Sequence, residues 1–448
     1  MSSRRLRFAA ACGALLMTGA LTLAAPAGAD TPTAEPVGPA KVDNFALFDE
    51  GKHEKIAEHA ISLINAANGG SINITLYYFD RQAVANALIA AAKRGVKVRI
   101  VMDGWNIGEK EYDSLIAASK APTPKNERVA VATCSPATTT RNGGKVATRG
   151  CIANRGLGDD DAVLPAIMHN KFMTLSSVQT TAGTVNNVVY VSSANLDWWK
   201  GRNATEKKAY GNVVTLTSPE LHGFFADHYF EDLFNGPNTT GNNTYGDPDP
   251  DPETDNNFHS ANHEVFTSPR QYHDPIGAAI ERASRTCSTT TTDDVIKVAN
   301  FRISRSNVTG ILGFAKKRGC TVQVVTGDIG DKPRTPVKEY WRALLDLAEA
   351  NIDIKVCHPS MGVYSEMHEK TLMINHGPTA GLYIGSANMT EGALKYGDES
   401  VLRIMKTSPV WPKFDQHFDA LHNYCPTWNP LGDRRSPANS RPDNGDVG

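Results

Sequence analysis

Two short stretches of this sequence carry nearly the same residues, one in each half of the chain. The first is Met168-His169-Asn170-Lys171, and the second is Met367-His368-Glu369-Lys370. Side chains two residues apart on a β-strand point to the same face, so each stretch places a histidine beside a lysine. The repeat predicts a chain that folds as two similar halves.

Each stretch is followed by a second pattern that ends in Ser-Ala-Asn. It is Ser193-Ala194-Asn195 in the first half and Ser386-Ala387-Asn388 in the second. The chain therefore offers two sets of one histidine, one lysine and one asparagine. Two imidazoles, two ammonium groups and two amides that face one another can attack a phosphodiester and offset its charge without a metal ion.

The order of predicted elements is also repeated. The first half has a helix, strand, helix and strand at 53–67, 72–79, 82–94 and 96–102, with a closing strand at 213–216. The second half has them at 274–284, 295–303, 308–318 and 321–326, with a closing strand at 401–405. Strand–helix–strand order predicts parallel strands covered by helices. We therefore expect an α/β fold of two homologous α/β/α lobes, formed by internal duplication, with mixed and largely parallel sheets.

The start of the chain has the composition of an export signal. A basic start precedes an apolar stretch at 9–25 and the small residues Ala27-Gly28-Ala29, which predicts a signal peptide and a secreted protein. The stretch is short and rich in alanine and glycine, which favours a cleaved signal over a membrane anchor. The predicted boundaries are a signal peptide at 1–29, lobes at 30–234 and 258–427, a linker at 235–257 and a disordered tail at 428–448.

The linker contains the acidic run Asp247-Pro248-Asp249-Pro250-Asp251-Pro252-Glu253. A calcium loop is one interpretation, but the prolines prevent the usual loop geometry and the required glycine is missing, so a solvated linker is favoured. The sequence also has no CxxC spacing, and we expect neither a metal site nor a cofactor.

Six cysteines remain once the predicted signal peptide is removed, and an even number in an exported chain favours disulfides. Cys134 and Cys151 bracket a Thr/Gly/Asn-rich insertion and are expected to pair. Cys287 and Cys320 each precede a predicted strand, and they would lie at the same sheet edge if those strands are parallel neighbours. Elimination leaves the third pair as Cys357–Cys425.

The repeated motifs resemble those of the phospholipase D superfamily, in which His-x-Lys-x4-Asp is followed by Gly-Ser-x-Asn, twice in one chain or once in each subunit of a dimer. The resemblance covers essentially the whole chain beyond the predicted signal peptide. It implies a bilobal fold whose sheets meet at a pseudo-twofold interface, with one active site at the junction. Three positions depart from the family motif, because Ser176 and Asn375 replace its aspartates and Ser192 replaces its first glycine.

The resemblance also implies roles for individual residues. His169 would be the nucleophile that forms a phosphohistidine, and His368 would be the general acid and base. The groups that would hold the non-bridging phosphate oxygens are Lys171, Lys370, Asn195 and Asn388. The residues expected to bind the rest of the substrate are Ser193, Ser386 and Trp198. For Trp198, buried packing is an equal alternative.

A nucleophilic imidazole needs an acceptor on its far nitrogen that fixes its tautomer and direction. Glu399 matches the place where members of the resembling family carry this carboxylate, so we expect it to orient His169. In the first half, Asn212 would take the corresponding place and orient His368, with Glu206 as the alternative.

These patterns predict a secreted, metal-independent phosphodiesterase that hydrolyses glycerophospholipids or glycerophosphodiesters and transfers their phosphatidyl group to alcohols. The expected partners are this substrate and, transiently, a membrane surface, and the protein is expected to be a monomer. Nucleic acid is not an expected partner, because the formal net charge of −2 falls to −5 when the signal peptide is removed. The alternatives are an extracellular metal-independent nuclease and a non-catalytic binder of phospholipids or phosphorylated headgroups.

Overall fold

The structure is a computed structural model of the chain. It describes residues 40–50, 55–121, 129–134, 138–141, 144–147, 149–154, 156–157, 163–164, 166–197, 210–249, 255–288, 293–328, 337–363 and 365–428. Several predictions fall outside these ranges, namely the signal peptide at 1–29, Trp198, Glu206 and all of the tail after residue 428.

A mixed sheet of seven strands forms the centre of the N-terminal lobe. The strands of this half are β1 (Phe45–Glu50), β2 (Ser71–Leu76), β3 (Lys97–Asp103), β4 (Val129–Cys134), β5 (Thr138–Arg141), β6 (Gly144–Ala147), β7 (Gly156–Leu157), β8 (Val163–Leu164), β9 (Ile167–Met168), β10 (Phe172–Thr180), β11 (Gly183–Ser192) and β12 (Tyr210–Thr217). The sheet order is β1-β12-β11-β10-β2-β3-β4. Strands β2, β3 and β4 are parallel, and the other neighbours are antiparallel.

The C-terminal lobe repeats this sheet. Its strands are β13 (Phe258–His259), β14 (His263–Ser268), β15 (Val295–Asn300), β16 (Thr321–Thr326), β17 (Asp353–Val356), β18 (Lys370–Ile374), β19 (Gly381–Gly385) and β20 (Gly397–Met405). They lie in the order β13-β14-β20-β19-β18-β15-β16-β17, and β9 of the first half pairs with β20. Strands β15, β16 and β17 form the parallel core of this sheet. The predicted duplicated α/β fold with two mixed sheets is confirmed, and each parallel core extends into an antiparallel part.

Helices cover both sheets. They are α1 (Lys55–Ala66), α2 (Gln82–Lys93), α3 (Lys110–Lys120), α4 (Pro219–Gly223), α5 (Phe230–Asn235), α6 (Pro275–Ser284), α7 (Ser306–Lys317), α8 (Val337–Glu349), α9 (Glu391–Tyr396) and α10 (Trp411–Tyr424). A π-helical turn, Phe224–Tyr229, joins α4 to α5, and short 3-10 turns lie at Gly104–Asn106, Gly236–Asn238 and Pro359–Met361. The sequence analysis identified α1, α2, α6 and α7 and did not identify the other six of these helices.

The repeated Lys-Arg-Gly joints end α2 and α7 in the same way. Gly95 and Gly319 have φ angles of 91° and 102°, which glycine adopts at little cost. The amides that follow these glycines, those of Val96 and Cys320, donate to Ala91 and Ala315 one turn back. Each helix therefore stops where the next parallel strand must begin.

The apolar side chains form one core in each lobe and a third that both lobes share. One cluster packs α1 and α2 on the N-terminal sheet, and a second packs α6, α7 and α8 on the C-terminal sheet. The third takes residues from both sheets, including Phe172, Val325 and Leu402, together with Tyr229 and Phe414 from the helices after the closing strands. Burial of this shared apolar surface holds the two lobes together.

The described parts of the predicted linker, 235–249 and 255–257, are not a solvated spacer. Tyr245 is buried and its hydroxyl donates to Asp232 at 2.6 Å. The Asp247 carboxylate accepts three consecutive backbone amides, those of 271–273. These described parts therefore pack against the folded chain, a result of side-chain contacts that their polar composition does not reveal.

Three disulfides join Cys134 to Cys151, Cys287 to Cys320 and Cys357 to Cys425. This is the pairing that the sequence analysis expects. The second bridge links the end of α6 to the start of β16, so the sheet-edge argument describes its surroundings correctly. Within the part of the chain that the structure describes, no helix has the length and apolar character needed to cross a membrane.

Ser176 and Asn375, which replace the motif aspartates, occupy equivalent places. The Ser176 hydroxyl accepts the amide of Ser71 at the start of β2, at 3.1 Å. The Asn375 side-chain oxygen accepts the amide of Val295 at the start of β15, also at 3.1 Å. Both residues therefore supply the oxygen that fixes the first residue of the central strand, and a carboxylate is not required for that bond.

We predict that Ser176→Ala and Asn375→Ala each lower the free energy of unfolding by about 1 kcal/mol, because each removes a side-chain acceptor of a strand amide. Urea denaturation of the purified variants measures this loss. Asn375→Asp is the matched control, since it keeps an oxygen at the same position and should retain most of the stability. Equal stability of Asn375→Ala and Asn375→Asp would contradict the assigned role.

Candidate active site

Each lobe holds the histidine motif of the other through its closing strand. Strand β9, just before His169, pairs in parallel with the start of β20, and the His169 amide donates to the Asp398 carbonyl at 3.0 Å. In the other direction Tyr210, at the start of β12, bridges to Met367, and the His368 amide donates to the Tyr210 carbonyl at 2.8 Å. The reciprocal pairing brings both predicted His/Lys sets to the lobe junction.

The four side chains of these sets are almost completely buried. His169 is 2% exposed and His368 is 5% exposed, and Lys171 and Lys370 are equally withdrawn from solvent. Burial lowers the pKa of both histidines well below the ordinary value, and each lysine lowers both of them further. Since each imidazole responds to the lysine of the opposite lobe, the two sets share one electrostatic site.

The two lysines make the same contact in their own lobes. Lys171 donates to the backbone carbonyl of His169 at 2.7 Å, and Lys370 donates to that of His368 at 2.8 Å. Lys370 also lies 3.0 and 3.1 Å from the two ring nitrogens of His368. The cations are therefore fixed beside the imidazoles, where an anionic substrate group would meet them.

An aromatic ring supports each set, and the sequence analysis missed both rings. The Tyr77 ring lies 4.5 Å from that of His169, with the Lys171 ammonium 4.9 Å from its centre. The Phe301 ring lies 4.7 Å from that of His368. Tyr77 follows β2 directly and Phe301 follows β15 directly, so their equivalent places in the repeat were an available signal.

Glu399 on β20 reaches across the junction to His169. Its Oε1 lies 2.8 Å from the His169 Nδ1, and both groups are buried. Burial raises the pKa of Glu399 to about 7, an effect that Lys171 opposes. A carboxylate at Nδ1 selects the tautomer with the proton on that nitrogen, which leaves the Nε2 lone pair available for attack.

The prediction that Asn212 corresponds to Glu399 is wrong by one residue. Ser193 and Ser386, which are equivalent in the two motifs, pair through their amides with the carbonyls of Asn212 and Ser400. Asn212 is therefore the counterpart of Ser400, and Gly211 is the counterpart of Glu399. The Asn212 side-chain amide donates to Thr371 at 2.8 Å. Spacers of unequal length after the two motifs hid this register.

The motif serines and asparagines lie beside these strands. The hydroxyls of Ser193 and Ser386 accept the backbone amides of Asn212 and Ser400, at 3.0 and 3.2 Å, so both fasten the closing strands. Asn388 is buried and Asn195 is partly buried. Contact between any of these four side chains and a substrate stays a prediction.

The residue between histidine and lysine anchors each motif to a helical segment. Asn170 donates to the Tyr229 hydroxyl at 2.8 Å, and this hydroxyl donates to the backbone carbonyl of Glu399 at 2.9 Å. Glu369 lies 2.6 Å from His417 on α10. Tyr229 ends the π-helical turn, an irregularity that is common near functional sites. Neither anchor has a separate signal in the sequence.

Arg302 adds a third cation close to the pair. Its guanidinium lies 4.8 Å from the Phe301 ring centre and donates to Asp328 at 2.7 Å. It contributes to the lowered pKa of both His169 and His368.

Among the described residues, one group has the spacing of metal ligands, Cys287, Cys320 and His376, and its two cysteines are already joined to each other.

The sequence matches a family model described as cardiolipin synthase, PLD-like domain. The match covers residues 60–229 and 288–422, which include both histidine motifs and both closing strands. No curated protein sequence matches the chain. The family model therefore covers most of the two lobes.

Solved structures include one with a similar overall fold. Phosphatidylserine synthase from Haemophilus influenzae Rd KW20 is 10% identical, with a TM-score of 0.56 over 88% of this chain and 90% of that chain. Polyphosphate kinase from Porphyromonas gingivalis is 13% identical, with a TM-score of 0.48 over 84% of this chain, which spans about half (50%) of that kinase. Nuc from Salmonella typhimurium, a phospholipase D family member, is 18% identical, with a TM-score of 0.30 over 37% of this chain and 97% of that chain.

We predict that neither motif histidine is protonated at pH 6 in the free protein, because burial and the lysines hold both pKa values well below 6.5. Nitrogen-15 NMR of labelled histidines measures this directly. In Lys370→Met a cation that lowers the pKa is lost, so the His368 signal should titrate at higher pH than in wild type. Lys406→Met is the exposed control, and wild-type midpoints near 6.5 would contradict the prediction.

Proposed function

This chain belongs to the phospholipase D superfamily, and we propose that it is a secreted phosphodiesterase that works through a phosphohistidine intermediate. The observation that carries the proposal is the junction where His169 and His368 share one buried site with Lys171 and Lys370. A nucleophile, an acid and two fixed cations are the groups that diester cleavage needs without a metal ion.

In the first step, Nε2 of His169 attacks the phosphorus of the diester. The N–P bond forms while the bond to the leaving oxygen breaks, and His368 gives that oxygen its proton. Glu399 accepts a hydrogen bond from Nδ1–H of His169 and stabilises the positive charge that the phosphorylated imidazole acquires. The diester itself is an anion, so its arrival offsets the lysine charges and favours the protonated form of His368.

In the second step, water or another alcohol replaces the first leaving group. His368, now neutral, removes a proton from the incoming hydroxyl as its oxygen attacks the phosphorus. The N–P bond breaks, and His169 returns to its neutral form. Because the intermediate does not distinguish between acceptors beyond their fit, transfer to alcohols should accompany hydrolysis.

A glycerophospholipid or a glycerophosphodiester is the favoured substrate. Tyr78 contacts Tyr77 at 4.6 Å and lies 6.5 Å from Trp105, which adds apolar surface next to His169. Ile107, two residues further on, is 51% exposed. This apolar edge and the slightly negative net charge support a lipid substrate and transient contact with a membrane surface over nucleic acid.

Secretion is supported by the three disulfides, because such bonds form and persist in oxidising compartments. The basic and apolar start of the sequence agrees with export. A monomer remains the expected form, since one chain carries both His/Lys sets.

We predict that the purified protein cleaves phosphatidylcholine vesicles or glycerophosphoethanolamine with or without chelator, and cleaves plasmid DNA poorly. His169→Ala and His368→Ala should each lower turnover by about 10³-fold or more, because each removes a group that the chemistry needs. Release of the free alcohol measures turnover. Cleavage of DNA alone would favour the nuclease, and binding of vesicles without any product would favour the non-catalytic binder.

A diester with a p-nitrophenolate leaving group separates the two histidines. This group leaves without a proton, so His368→Ala should still release one equivalent in a burst and retain phosphate on the protein. His169→Ala should give no burst. His228→Ala, which changes a partly exposed histidine, is the control. A burst from His169→Ala would contradict its assignment as the nucleophile.

With the p-nitrophenyl diester, whose leaving group needs no proton from His368, we also predict that kcat/KM rises with pH through about 7, the pKa to which burial raises Glu399. Below this pH the protonated carboxyl carries no negative charge with which to stabilise the phosphorylated His169, and above it the carboxylate does. Glu399→Gln should lower kcat/KM by about 10²-fold and abolish this limb of the profile, since an amide does not titrate. Glu264→Gln, from another glutamate–histidine pair, should keep the limb. An unchanged profile in Glu399→Gln would contradict the assignment.

A further inference from the structure

Asp398, immediately before Glu399 on β20, has an unusual environment. It is completely buried, and its carboxylate accepts the backbone amides of Cys151, Ile152 and Ala153. Three consecutive amides that converge on one carboxylate form an anion-binding concavity. A buried carboxylate is costly unless such partners satisfy it, so this contact fixes where Asp398 can lie.

The main chain of Asp398 connects this contact to the nucleophile. Its carbonyl accepts the His169 amide at 3.0 Å and the Asn170 side-chain amide at 2.8 Å. The next residue is Glu399, whose carboxylate holds the His169 ring. Asp398 therefore fixes the backbone of His169. It also fixes the backbone of Glu399, from which the carboxylate that orients the His169 imidazole extends.

The segment 149–154 that supplies the three amides is itself held firmly. The disulfide between Cys134 and Cys151 ties it to the end of β4. Arg149 donates to the carbonyl of Gly236 at 2.7 Å. A Cβ at Gly150 would lie 2.5 Å from Oδ2 of Asp398, so glycine is needed for this close approach.

A second buried aspartate holds the same motif from the N-terminal lobe. The Asp103 carboxylate accepts the amide of Met168 at 2.8 Å and that of Trp105 at 3.0 Å. The negative charge of Asp398 contributes to the raised pKa of Asp103, so the two carboxyl groups lie close together. The residues just before His169 are thus fixed from both lobes, and Asp398 is the contact that also leads to Glu399.

We propose that Asp398 is a positioning residue for His169, and that the disulfide-linked segment 149–154 sets its position. This inference rests on the proposed function, because it assigns the nucleophile to His169. The equivalent place beside His368 is occupied by Tyr210, whose carbonyl makes the backbone contact but whose side chain is not a carboxylate. The device therefore acts on the nucleophile alone.

Asp398→Asn tests the proposal, because its amide nitrogen would face the three backbone donors. We expect kcat to fall by about 10²-fold, the usual consequence of a nucleophile misplaced by about 1 Å, while KM changes less than about twofold. Removal of the Cys134–Cys151 disulfide by serine substitution should lower kcat in the same direction. The matched control is serine substitution of Cys287 and Cys320, a disulfide that does not contact Asp398, and it should leave kcat within about twofold.

A double-mutant cycle separates positioning from general destabilisation. If Asp398 acts through Glu399, then Asp398→Asn should lower kcat by less than about threefold when Glu399→Gln is already present. Independent, multiplicative losses would overturn the proposal. Urea denaturation at the assay temperature must show that each variant is folded before its kcat is compared.

A readout that needs no turnover keeps the inference distinct from the proposed function. In wild type, the proton on Nδ1 of His169 should give a hydrogen-bonded, downfield NMR signal, which Glu399→Gln identifies by its change. Asp398→Asn and loss of the Cys134–Cys151 disulfide should shift or broaden that signal, and loss of Cys287–Cys320 should not. An unchanged signal in both test variants overturns the inference, whereas absence of turnover in wild type overturns only the proposed function.

Discussion

The site depends on backbone hydrogen bonds that each lobe makes to the histidine motif of the other. The first residues of each closing strand pair with the motif of the other lobe, and a carbonyl there accepts the amide of the motif histidine. Backbone hydrogen bonds have a preferred geometry, so this reciprocal pairing sets the position and direction of the two histidine motifs relative to each other before any side chain contributes. The shared apolar core then excludes water from the junction. A single-lobe fragment would lack both the partner strand and that core.

Exclusion of water disfavours the charged forms of the two histidines and of Glu399 in this site. Desolvation is the largest cause of the lowered pKa of each imidazole, and the lysines add to it. The histidines are therefore neutral, and the two ammonium groups supply the positive charge that an anionic substrate group would contact. Burial acts in the opposite sense on Glu399, so the carboxyl titrates close to neutral pH. Burial thus sets the protonation of all three groups to which we assign the roles of nucleophile, acid and orienting carboxylate.

The duplication, the main strands and the histidine motifs could be predicted from the sequence because they depend on local periodicity and on a repeat. The register of Glu399 against Gly211 could not, because it depends on hydrogen bonds between strands whose connecting spacers differ in length. The same limit applies to Asp247, whose carboxylate binds backbone amides far along the chain. Tyr77 and Phe301 were within reach, since both follow a repeated strand, but an aromatic after a strand usually indicates core packing.

The two halves have similar backbones but differ in the residues beside the two motif histidines. Asp398 and Glu399 on one closing strand correspond to Tyr210 and Gly211 on the other. A nucleophile needs a fixed ring direction and a partner for the charge that it gains when it is phosphorylated, and a buried carboxylate supplies both. A general acid and base must release and regain its proton in each reaction cycle. A carboxylate at this place would stabilise the protonated form of His368 and hinder release of that proton. The differences at these two positions therefore give the two motif histidines different surroundings within a repeated scaffold.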